Sequence, residues 1–67
     1  MTENQKTWLL RMIENEIEET EGTINNEHLW ALGSNDATDQ QCHINNITEL
    51  KGYIEILKRY KEEILYV

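Results

Sequence analysis

Apolar residues recur at three- and four-residue steps through two long stretches of this 67-residue chain, and a short polar run separates them. In the first stretch Leu10, Ile13, Ile17, Thr20, Ile24 and Ala31 fall on one stripe of a helix, with His28 on the same line. In the second, Ile47, Leu50, Ile54, Leu57 and Lys61 form a seam at heptad-like spacing, and Tyr53, Ile56, Tyr60, Ile64 and Val67 run beside it. These two lines together cover more than half of the circumference. A helix packed on one neighbour needs an apolar stripe of only about 100°, so the second helix is expected to touch more than one helix.

Boundary signals agree with the stripes. Thr2 and Gln5 have capping-box spacing, which starts the first helix near residue 3. Gly33 stands where a left-handed residue would end that helix, and the polar run from Ser34 to Asp39 has the composition of a tight connection. Thr38 and Gln41 repeat the capping-box spacing, and Asp36 and Asp39 complement the positive end of a helix dipole. The predicted elements are a first helix over about 3–32, a turn over about 33–38 and a second helix over about 39–65. Gly22-Thr23 could be a C-cap followed by a new N-cap. The unbroken phase of Ile17, Thr20 and Ile24 instead favours one continuous helix, with Gly22 facing away from the stripe.

The fold class is therefore all-α: an antiparallel αα-hairpin of two long helices, completed as a helical bundle by homo-oligomerisation into a dimer or larger assembly. With antiparallel pairing, residue numbers summing to roughly 71 lie at similar heights. That register sets Glu14 near Lys58 and Glu21 near Lys51, with an acidic first helix beside a more basic second one. Trp8 and Met12, one turn apart, lie off the first helix's core stripe, and Trp30 projects to the same side. The tryptophans could fold over the ends of a monomeric hairpin. Aromatics aligned on one exposed face more often meet another chain, so Trp8, Met12, Trp30, Tyr53, Ile56, Tyr60 and Ile64 are the candidate oligomer or partner interface.

Size strengthens this expectation. A domain this short buries little surface and needs a staple, and Cys42, the only cysteine, cannot form a disulfide within the chain. A solitary thiol also suits a reducing compartment. Six Lys and Arg against thirteen Asp and Glu give a net charge of -7, which disfavours nucleic acid and anionic membrane as partners and favours a basic protein. The polar N-terminus from Met1 to Lys6 and the lack of any long apolar run lead to a cytoplasmic expectation. Abundant Asn, Ile, Glu and Lys suggest an AT-rich genome, such as that of a low-GC bacterium or its phage.

Candidate chemistry is sparse. His28, Cys42 and His43 are the usual catalytic or ligating types, and pairing brings His28 to the height of His43. Adjacent Cys42 and His43 point to different sides of a helix, and no Cys-x-x-Cys or His-x-x-x-His spacing occurs, so no metal or other cofactor is expected. The simpler expectation is a buried or bridging His28, a partly exposed His43 and Cys42 as an apolar filler. Glu14, Glu16, Glu18, Glu19 and Glu21 are spread around their helix, as on a solvated surface, and the Glu-x-x-His pattern of di-iron bundles is missing. No nucleophile has an activating neighbour with an orienting third group.

One stretch, Ile47-Thr48-Glu49-Leu50-Lys51, resembles the Ser-Gln-Glu-Leu-Asp signature of the small helical-hairpin aspartyl-phosphate phosphatases that act on sporulation response regulators. The resemblance covers the hairpin outline and two residues, Glu49 and Leu50. Lys51 occupies the position of that family's catalytic aspartate, so what it implies is architecture and not activity.

The expected function is that of a small acidic, non-enzymatic interaction protein that self-associates and binds or inhibits another protein, in a phage or mobile-element setting. The alternative is a ligand-sequestering helical oligomer, with His28, Trp30 and His43 lining a pocket for a small metabolite or nucleotide.

Overall fold

The computed structural model describes residues 1–66, and Val67, assigned above to the second apolar line, lies outside them. Among the described residues the chain is all-helical: α1 spans Glu3–Gly33 and α2 spans Ala37–Leu65, packed against each other as a hairpin. Helix α1 begins at the expected capping box. The Thr2 hydroxyl accepts from the Gln5 amide at 3.1 Å, and the Thr2 amide donates to Gln5 Oε1 at 3.0 Å, satisfying two donors that would otherwise be orphaned. It runs unbroken through Gly22, around whose Cα nothing lies within reach of an added Cβ.

The connection is shorter than the spacing predicts. Gly33 is the last residue of α1 and has no positive φ; the helix ends because Ser34 turns extended, at φ -86° and ψ 137°. Asp36, not Thr38, is the N-cap of α2, and its carboxylate accepts from the Thr38 amide at 3.0 Å. Two local signals competed here, and a contact across the turn accompanies the one that prevails: Gln40 Nε2 donates to the Ser34 carbonyl at 2.7 Å, while the Asp36 amide donates to Ser34 Oγ at 3.2 Å. Residues 34–36 are thus tied on both sides, and α2 starts two residues earlier than expected.

The core is one seam. Ile24, Ile47, Ile54 and Leu57 are buried, and Ile17 and Leu50 pack partly buried against the isoleucines. Thr20 sits in this seam at 5% exposure because its hydroxyl bonds back to the Glu16 carbonyl at 2.7 Å, so no polar atom is stranded. Leu10 and Ile13, toward the open end, are only half-buried.

Cross-helix contacts fix the register. Lys6 Nζ reaches the Leu65 carbonyl at 3.2 Å, Tyr53 Oη donates to Glu16 at 3.2 Å, and His43 Nδ1 meets Glu27 at 2.5 Å. Glu14 pairs with Lys61 at 3.1 Å rather than with Lys58. Side chains lean toward the N-terminus of their own helix, so in an antiparallel pair Lys61 leans toward the level of Glu14 and Glu14 toward that of Lys61. Glu21 and Lys51 line the same surface groove, as their heights require.

Candidate functional site

Three surfaces are candidates: an aromatic face, a polar cluster near the turn and a groove on the opposite face. The aromatic face follows from helix geometry. Trp8, Met12 and Trp30 project within about 40° of one another on α1, and Tyr53, Tyr60 and Ile64 do the same on α2. Antiparallel packing turns both sets to one side of the hairpin, where Leu9, Met12, Ile13, Glu16, Tyr53 and Leu57 line a shallow groove. Trp8 closes a second depression with Met1, Gln5 and Leu9. These residues are open to solvent: Trp8 is 61% exposed, Met12 50%, Trp30 55% and Tyr60 54%. Ile56 is also exposed, further around α2, and Ile64 is half-buried. Tyr53 holds its proton more tightly than a free phenol, because its ring is desolvated and the Glu16 carboxylate lies beside it.

Near the turn the structure brings together residues that the stripe did not predict. Glu27, one position before His28, occupies the seam and is buried at 8% exposure, whereas His28 is exposed. The bridge to α2 is therefore made by Glu27 and His43. Glu27 lies three residues after Ile24 on the core side, and a carboxylate is tolerated there because His43 Nδ1 meets it, with Asn46 Nδ2 donating to the same oxygen at 3.5 Å. His43 Nε2 faces Asp39 one turn back at 3.4 Å. Both ring nitrogens thus face carboxylate oxygens, and only the imidazolium can donate to both. Accordingly the His43 pKa is raised above 6.5, through the Glu27 hydrogen bond first and the Asp39 charge second, against opposing desolvation. Cys42 is exposed rather than a filler, since it lies about 100° around α2 from its neighbour His43.

The sign of the pH effect follows. A raised folded-state pKa means that the cluster stabilises fully below about pH 6.5 and that its contribution is lost as pH rises through the folded value. The thermal midpoint should therefore fall as pH rises above about 6.5, and His43→Gln should flatten that fall. A wild-type profile parallel to that of the variant would contradict the assignment.

The three residues of the alternative ligand pocket divide between two places. Trp30 packs on His43 with ring centroids 5.9 Å apart and a tilt of 48°. His28 lies in a separate groove with Ala31, Leu32, Gln40 and Ile44. The opposite face also holds a groove of about 480 Å³, floored by Ile24 and Ile54 and rimmed by Glu21, Glu55, Lys51 and Lys58. Charges of both signs at this rim select no single ionic ligand. Among the described residues, no group of three or more His, Cys, Asp or Glu side chains could hold a metal ion, and no helix is long and apolar enough to cross a membrane.

No family model, no curated protein and no solved structure matches the chain.

Proposed function

We propose that the chain is a small acidic, non-enzymatic interaction protein whose hairpins self-associate into a helical bundle and whose remaining surface binds or inhibits another protein. One observation carries the reading. The hairpin is a single layer, 51 × 14 × 9 Å across its Cα atoms, and among the described residues four hydrophobic side chains are buried while twelve large ones are exposed. Stable domains pack at least two layers around a core. A second layer supplied by another copy would give the exposed aromatics a dry environment and add the burial that a chain of this length lacks. The side chains near the turn are engaged with one another in hydrogen bonds and ion pairs, an arrangement that fits a structural tie better than a reacting centre. A net charge of -7 makes a basic protein the favoured target, and a phage or mobile-element setting would suit so compact an inhibitor.

Folding coupled to association makes stability depend on concentration. Raising the protein concentration about a hundredfold should raise the thermal midpoint by several degrees, with the two-helix far-ultraviolet signal lost in the same transition. A midpoint independent of concentration would contradict the reading.

A further inference from the structure

We infer that the aromatic face is occupied by a second copy of this chain, laid face to face with both turns at the same end, so that α1 of each hairpin packs on α2 of the other. This arrangement rests on the self-association proposed above and adds the face, the axis and the register.

The footprint fits first. A face of 51 × 14 Å offers roughly 700 Å², near the roughly 800 Å² per partner of a standard interface. A second hairpin has the same outline and would cover it along its whole length.

Polarity along the face then selects the axis. Trp8 and Met12 on α1, with Tyr53, Tyr60 and Ile64 on α2, all lie in the half nearer the chain ends. Toward the turn the same side carries exposed Glu19, Thr23 and Asn26 on α1 and exposed Asn46 and Glu49 on α2, until Trp30 is reached. A two-fold axis along the hairpin lays the apolar half on the apolar half, with Trp8 and Met12 of one copy against Tyr60 and Ile64 of the other. An axis across the hairpin would instead lay Trp8 and Met12 on the polar half, and would bring Glu16 and Glu19 of both copies together at the centre.

Charge agrees with this choice. Helix α1 carries seven carboxylates against two basic side chains, whereas α2 carries five against four. Stacking α1 on α1 sets the most acidic surfaces together. Stacking α1 on α2 avoids that repulsion and keeps every neighbouring pair antiparallel, as in an up-down bundle.

Dipolar electron paramagnetic resonance tests the geometry on the full chain. A nitroxide is placed on the turn through Asn35→Cys in a Cys42→Ser background. Same-end stacking, with layers about 10 Å apart, predicts an inter-copy distance below about 30 Å. A distance near 50 Å, about the hairpin's own length of 51 Å, in a sample of dimeric mass would overturn this arrangement while leaving self-association intact. A monomeric mass with no dipolar signal would overturn both.

Discussion

Ile54→Ala should remove about 2–4 kcal/mol of stability, a large part of the reserve of so small a domain, which is roughly 3–10 kcal/mol at 0.05–0.15 kcal/mol per residue. The site explains the size of the effect. Ile54 is 7% exposed and packs with Ile24 and Ile47, the buried cluster that joins the two helices. Truncation removes buried methyl groups and leaves a gap that two helices held by one seam can close only in part. Leu29→Ala is the control, since Leu29 is 65% exposed and a surface change should stay within about 0.5 kcal/mol. Urea denaturation of both variants checks the expectation, and equal losses would mean that the seam does not hold the hairpin together.

Trp8→Glu and Tyr60→Glu should each shift the assembly strongly toward monomer. Each side chain is more than half exposed within one hairpin, so neither carries the intramolecular core. At a protein interface, buried Trp and Tyr are the usual anchors, and losing one typically costs about 2 kcal/mol or more, which weakens association about 30-fold or more. A glutamate adds the cost of an unpaired charge facing an apolar surface. Light scattering at a fixed micromolar concentration should show the mass of each variant falling toward 8.0 kDa. Charge reversal outside the aromatic face, for example Lys51→Glu, should leave the mass unchanged. A mass unaffected by either aromatic substitution would remove that residue from the interface.

Much of the hairpin is readable from local pattern. Three- and four-residue spacing identifies the seam of Ile24, Ile47, Ile54 and Leu57, and the Thr2 to Gln5 spacing identifies a capping box that forms as expected. Local pattern misleads where the deciding partner is distant in sequence. His28 looks like the better core residue by polarity, yet Glu27 is buried because His43, sixteen residues later, meets its carboxylate. Gly33 invites a left-handed helix end, but an extended Ser34 makes one unnecessary. Thr38 has the capping-box spacing, yet the cap is Asp36, and the side chain that accompanies this outcome is Gln40, through its bond to Ser34. Cys42 passes for a filler until its angle around α2 is measured against the seam. The aromatic face was visible as residues off the stripe, but its concentration in the half nearer the chain ends became evident only once antiparallel register aligned Trp8 and Met12 with Tyr60 and Ile64.

Function is then a question about surfaces. Within one hairpin Trp8, Met12, Trp30, Tyr53 and Tyr60 all stay exposed on one side, and the mixed-charge groove over Ile24 and Ile54 lies on the other. If the aromatic face is used for self-association, the acidic edge of α1 and the mixed-charge groove are what remain for a partner.

The most direct measurement is the molar mass of the unmodified chain by sedimentation equilibrium at micromolar concentration. Self-association through the aromatic face predicts at least twice the 8.0 kDa of one chain. A well-folded, helical species that sediments at 8.0 kDa throughout the concentration range would contradict it.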